Sequence, residues 1–437
     1  MACYDRSEIT RRQLVGRSIG FGLTVYGGAK LLSADALVQS AQAQAAAAPA
    51  DAPVLVSVFL PGGCDLLSAL PPVEQLGLLN DLRATLPPGD VPGLPGESRL
   101  GMHPGFTDGT GGGIAGLYSA GKIGFLPGID YAPPDLSHFH SRHFWERGMV
   151  TQDAGAGWLG RWLDRHGNGE NPLQGLTMSS TLSPVLATGG APVAALNNPD
   201  DAALQFGGTW GTGADKAAEA WARLAAVPRR GVQPQAASHI AALTQSVGTM
   251  LAPYKSDKKT NSYPLAPPVA YPTGSDFAKR LSSLAGLIAQ PLGIRVATIN
   301  APGDYDTHDN QTTDLTKALG ELSRSLSAFQ ADLEARGVAD RVLTFVWSEF
   351  GRRPQSNRSA GTDHGAGGIA WVQGTRAASG ILTDFPDLGA LDRDDNLAVT
   401  VDFRRVYASL LEQWLGTDAT EILPDAAAAG RVQLVRS

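Results

Sequence analysis

An α/β fold built on a mostly parallel sheet is what this 437-residue chain predicts, and three observations carry it. Three apolar runs, "VLVSVFL" from Val54, "GIRVATI" from Gly293 and "RVLTFVW" from Arg341, read as strands buried on both faces. Between the second and third, Leu315, Leu319, Leu322, Leu326, Phe329 and Leu333 recur at three- and four-residue steps, so an amphipathic helix closes a strand–helix–strand unit that stops at Arg336-Gly337. Each run also ends in a loop bearing acids or histidine: Asp65, then Asp306 with His308, then Glu349.

The remaining elements follow in order. After "LPGGCD" comes a short helix around Ile114 to Ala120, a strand at Ile123 to Leu126, and "DLSHFHSRHFWERG", a loop running into a helix. Three of the eight histidines sit there, with Ser137 and Arg142. Ala-rich helical stretches and a Pro-rich polar loop mark an insertion or cap at about 200–275. "DFAKRLSSLAGLIA" is a helix, 353–368 a polar loop carrying Asp363 and His364, and "DFRRVYASLLEQWLG" a closing amphipathic helix. Residues 52–437 are read as a single domain.

With 43% apolar and 18% charged residues and no long apolar tract after the first fifty, no membrane span is expected in the mature part. The net charge of −7 and the lack of any basic block interleaved with aromatics argue against a nucleic-acid surface. Residues 1–48 have the layout of a twin-arginine export signal: Arg11-Arg12, a moderately apolar Gly-rich run, then the small-residue tract "AQAQAAAAPADAP". The twin-arginine translocase is then an export partner, and the destination is periplasmic or extracellular. Cys64 is alone in the mature chain, so no intramolecular disulfide forms, and it reads as a small buried side chain beside a Gly-Gly turn.

Parallel strands joined by right-handed crossovers bring their C-terminal ends to one edge, so the acidic and His-bearing loops converge. Several carboxylates at one spot push each other's pKa up unless a cation compensates them. A divalent metal removes that conflict, with Asp and His donors suiting Zn²⁺, Mn²⁺ or Fe and the Asp-rich character keeping Ca²⁺ or Mg²⁺ open. In "DYDTH", Asp306 and His308 point the same way if extended, and Asp304 meets His308 on a turn. Taken singly, such residues serve more often as turn or capping groups. Together with "TDHG" and the His cluster they read as ligands. Ser137, placed before a helix, is the candidate nucleophile or simply an N-cap, with His138 and Arg142 as partners or packed polar residues.

The motifs "FLPGGCDLLSALPP", "LSHFHSRHFWERG", "GWLGRWLD", "DYDTHDNQ", "WSEFGRR", "GTDHG" and "DFRRVYASLLEQWLG", in this order from about Val54 to Leu415, resemble the family called domain of unknown function 1501. That family resembles the alkaline phosphatase and sulfatase superfamily. The resemblance implies a three-layer sandwich with a metal held by Asp65, Asp306, His308, Glu349, Asp363 and His364. The segment Ser137 to Gly148 then corresponds to the nucleophile loop and helix, and in the expected reaction Ser137 attacks, with His138 as its partner and Arg142 or Arg352 clamping the ester oxygens. The chain departs from the superfamily in two ways: the C-x-P-x-R of sulfatases is missing, and Ser348-Glu349 stands where phosphatases carry an adjacent Asp-His. The expectation is an exported metal-dependent hydrolase of small-molecule or polymer-borne anionic esters, phosphate before sulfate. The competing expectation is a phosphatase-like fold kept for binding or assembly at the cell surface. A redox enzyme finds no G-x-G-x-x-G after a strand and no cofactor cysteines.

Overall fold

The structure, a computed structural model, describes residues 23–26, 39, 49, 51–89, 91–109, 111–202, 232–257, 259–260, 262–424 and 430–436. The arginine pair at 11–12 and the small-residue tract up to Ala48 therefore lie outside the described residues, as do 203–231 of the expected insertion.

Strands follow in chain order as β1 (Leu23–Tyr26), β2 (Val54–Leu60), β3 (Gly93–Leu94), β4 (Glu97–Gly101), β5 (Ile123–Asp130), β6 (Gly175–Thr177) and β7 (Val193–Leu196). They continue as β8 (Val296–Asn300), β9 (Val342–Ser348), β10 (Gly351–Ser356), β11 (Thr362–Gly365), β12 (Gly368–Gln373), β13 (Gly380–Ile381) and β14 (Val401–Asp402). The helices are α1 (Leu66–Ala69), α2 (Leu76–Leu82), α3 (Gly113–Ser119), α4 (His138–Arg147), α5 (Trp158–His166), α6 (Val232–Leu251), α7 (Asp276–Ile288), α8 (Gln311–Ala335) and α9 (Phe403–Ser409).

The main sheet runs β1-β7-β6-β8-β2-β9-β12-β5-β13, with β14 also on β5. Its middle, from β7 to β9, is parallel; β1 and β12 run antiparallel to their neighbours. The architecture is thus α/β on a large, mostly parallel mixed sheet. Strand β2 shows why its sequence is apolar throughout. Val54, Val56, Val58 and Leu60 enter one core with Leu281 and Leu284 of α7 and Leu319, Leu322 and Phe329 of α8. Leu55 and Phe59 enter the opposite core with Trp145 of α4, Trp162 of α5 and Tyr407 of α9. Each such side chain removed from water is worth about 1.5–3 kcal/mol, so a polar change on either face of β2 is costly.

Two sequence expectations change. Strand β5 continues four residues beyond Leu126, because Gly128, at φ +69, forms a bulge opposite the register shift at Gly368/Ile369 and absorbs the Pro127-Gly128 break. The expected loop at 353–368 is largely the hairpin β10–β11, with Arg352 opposite His364. Its polar composition hides the ladder, and Asn357 Oδ1 organises the turn by accepting from the N–H groups of Ser359 and Gly361. In the expected insertion, Leu243, Val247 and Leu251 of α6 join the core that holds α7 and α8. Among the described residues no helix is long and apolar enough to cross a membrane.

Asp130, at the end of β5, is fully buried. Burial pushes its carboxyl up to about 8, against the opposing pull of backbone N–H groups including those of Tyr131 and Gly367. The folded state therefore holds a proton that the unfolded chain releases near pH 4. This contribution to stability is complete below about pH 4 and is lost as pH rises towards and through about 8. The melting temperature of the wild type, measured against Asp130→Asn, is expected to fall between pH 5 and pH 9; a flat difference counts against a protonated Asp130.

Candidate metal centre

Phe59 of β2 lies beside Asn300 of β8, and Leu60 lies beside Ser348 of β9. The loops that follow these three strands therefore start from one edge. Strand β5 reaches the same edge, since it runs antiparallel to β12, which runs antiparallel to β9. The β5 strand leads through residues 131–137 into α4, and the β10–β11 hairpin follows β9.

Asp306 is the hub. Its Oδ1 lies 3.0 Å from His308 Nε2 and 3.1 Å from His364 Nε2, and its Oδ2 lies 3.3 Å from His138 Nε2. His308 Nε2 and His364 Nε2 are 3.0 Å apart. Donor atoms of His138, Asp306 and His364 all fall within 4.8 Å of one another. The far nitrogen of each ring is held as well. His138 Nδ1 lies 2.9 Å from Glu349 Oε1, His308 Nδ1 lies 3.2 Å from Asp363 Oδ1, and His364 Nδ1 lies 2.8 Å from the Leu136 carbonyl oxygen.

A carbonyl or carboxylate oxygen accepts, so each Nδ1 carries a proton, and each ring turns its Nε2 towards Asp306. The Nε2 atoms of His308 and His364, 3.0 Å apart, with a carboxylate oxygen beside both, form a compact donor group that a cation can enter by displacing a proton. Anchoring of the second ring nitrogen by carboxylates and a carbonyl is the support that metal-binding histidines ordinarily receive. The residues present therefore fit a divalent metal.

The electrostatics divide along the same lines. Burial opposes ionisation of Asp306, yet the hydrogen bond and charge of Arg352, with His138 and His308, hold its carboxyl below the usual range. His138 is pushed up, first by its hydrogen bond to Glu349. His364 is pushed down, first by burial. The two histidines shift in opposite directions because the Glu349 hydrogen bond outweighs burial at His138, whereas burial outweighs the contacts to the Leu136 carbonyl and Asp306 at His364.

Several residues expected at the site take other positions. Asp65 is not in the donor set. It is buried and receives Arg83 Nη1 and Nη2 at 2.5 and 2.9 Å, Ser68 Oγ at 2.6 Å and Gln311 Nε2 at 2.6 Å. Despite its burial, Arg83 keeps its carboxyl below the usual range. Glu349 does not join the donor oxygens either, because it accepts from the N–H groups of Gly62 and Gly63 and anchors His138. Asp363 supports His308, with Asn357 Nδ2 also on its Oδ1.

Arg352 is not free to clamp an anion. It is buried, and it donates to the carbonyls of Gly63, Thr362, Gly62 and Tyr305 as well as to Asp306 Oδ1. Arg142 donates to Glu146 at 2.8 Å and lies over the Phe59 ring at 4.7 Å. His138, expected as a catalytic partner, instead belongs to the donor set. Ser137 stands at the N-cap of α4, and its side chain makes no capping hydrogen bond. Cys64 is free and buried, and burial pushes its thiol well up, so it is inert.

Two supports were not legible in the sequence. Gln311 Oε1 accepts from Thr307 and Thr362 at 2.9 and 2.7 Å, tying the segments that carry His308 and His364 together from behind. Gly62, at φ +114, packs so closely that a Cβ there would sit 2.2 Å from Asp306 N. Gly62→Ala is expected to cost on the order of 2–4 kcal/mol in urea unfolding and to weaken zinc binding at least about tenfold, because the Asp306 backbone must move. Unchanged zinc affinity would mean the loop tolerates the shift.

The fold and this site define an α/β protein with a His/Asp centre able to hold a metal ion. Residues 132–427, more than half of the chain, match a family model described as Protein of unknown function (DUF1501), and the chain belongs to that family. No curated protein matches the chain.

Proposed function

We propose that this chain is a divalent-metal-dependent hydrolase of phosphate esters, of alkaline phosphatase-like type, that acts in the periplasm or outside the cell after twin-arginine export. The observation that carries it is the convergence of three anchored imidazoles on Asp306. His138, Asp306 and His364 would hold the ion, with His308 as the adjacent donor. An imidazole-rich set suits Zn²⁺ first and Mn²⁺ next, ahead of Ca²⁺ or Mg²⁺. When bound, such an ion supplies Lewis-acid polarisation of an ester oxygen and lowers the pKa of a hydroxyl.

Ser137 is the nucleophile in this reading: it precedes His138 in the chain, and its hydroxyl is not taken up as a cap. Its Oγ would lose its proton to solvent and bond to phosphorus as the P–O bond to the leaving alcohol breaks and that alcohol takes up a proton; water then attacks phosphorus, releasing phosphate and returning a proton to Oγ. Glu349 and the Leu136 carbonyl keep the His138 and His364 rings in the tautomer that presents Nε2.

One observation favours a second reading, metal-supported binding without turnover. The cleft of about 480 Å³ beside Asp306 is lined by Asp304, Asp309, Asp314 and Glu321 with Lys317 as its one cation, and it repels an anionic ester. The decisive experiment is elemental analysis of the mature chain followed by a panel of aryl phosphates, phosphodiesters and sulfates. Stoichiometric metal with aryl phosphate turnover is expected. Ser137→Ala should keep the metal and lose on the order of 10³-fold or more in kcat. Metal without turnover on any ester selects the second reading, and no metal defeats both.

A further inference from the structure

We infer that a cavity on the α2 side of Asp65 is a second binding site, for a small uncharged molecule with an apolar body and one hydrogen-bond acceptor. The cavity measures about 250 Å³ and is walled largely by Leu67, Leu79, Leu315, Pro71 and Pro104. An apolar cavity of roughly 150 Å³ is enough for benzene, so this one takes a single ring carrying a polar substituent.

The polar lining fixes the chemistry. Arg83 and Gln311 line the cavity, but their groups are engaged with Asp65, Pro354, Thr307 and Thr362. The Asp65 and Arg83 charges cancel inside that network, and an ion in the cavity would meet no free counter-charge. His103 is the exception. It lines the cavity, is only 8% exposed, and its Nδ1 accepts from Gly105 N at 2.9 Å. A neutral imidazole that accepts at Nδ1 carries its proton on Nε2, and that N–H has no partner among the described residues. Burial pushes His103 down to about 4, so the ring stays neutral at physiological pH. A free donor on a largely covered ring, between leucine and proline walls, matches a carbonyl or ether oxygen on an otherwise apolar molecule.

The test titrates the full chain with cyclohexanone, methylcyclohexane and cyclohexanecarboxylate while following the methyl NMR signals of Leu67, Leu79 and Leu315. Cyclohexanone is expected to shift them saturably, with the other two binding roughly five- to tenfold more weakly. His103→Asn, whose Oδ1 can keep the Gly105 contact, should weaken cyclohexanone by the same factor and leave methylcyclohexane unchanged. Val91→Trp, placing an indole in the cavity lining, should remove binding of all three, and it decides the matter should His103→Asn not fold. Shifts that do not saturate, equal affinity for cyclohexanone and methylcyclohexane, or full cyclohexanone affinity in folded His103→Asn would each overturn the assignment and leave water as the occupant.

Discussion

Asp306→Ala is expected to abolish stoichiometric metal binding, with zinc affinity falling by two orders of magnitude or more. The size follows from sharing an apparent binding energy of about 10–16 kcal/mol among four donors, so that losing one costs about 3 kcal/mol. The apo protein should also lose stability. Asp306 balances the buried Arg352, which would be left with backbone carbonyls alone. An uncompensated buried charge costs about 3–5 kcal/mol, reduced here because Asp306 is 30% exposed. Isothermal titration with zinc and urea unfolding of the stripped protein separate the two effects. Asp306→Ala that binds zinc as the wild type does would remove the centre as drawn.

The second large effect lies where no metal is expected. Arg83→Ala leaves Asp65 as an unpaired carboxylate, and both side chains are almost wholly buried. A loss of about 3–5 kcal/mol in urea unfolding should follow. The double change Asp65→Asn with Arg83→Met should restore most of it, because neither charge then remains. Zinc affinity measured in the double variant tests the assignment of Asp65. Affinity within a few-fold of the wild type fits a carboxylate engaged by Arg83, whereas loss of binding would return Asp65 to the donor set.

The strands and the long helix α8 were legible because burial on two faces and a 3.6-residue repeat leave marks in a single sequence. So was the meeting of strand ends, since topology alone brings Asp306, His308 and the Glu349 loop to one edge. What could not be read was the direction of each side chain there. Asp65, Glu349 and Asp363 share the strand-end or hairpin placement of the candidate donors, yet each is engaged by another group: Arg83, the Gly62–Gly63 backbone with His138, and His308 with Asn357. Arg352 looked free to clamp an anion, but the carbonyls of Gly62, Gly63, Tyr305 and Thr362 that engage it gather around it only when the chain folds. The histidine-rich stretch at 138–143 did signal the site. Only the fold shows that His138 faces Asp306, while His140 turns to Asp135.

The donor set is drawn from His138, the loop at 306–308 and His364, three segments that no local turn can gather. During synthesis His364 follows His138 by more than two hundred residues. A chain ending before His364 would lack part of this set, so any ion held here would be taken up only once all three segments are in place.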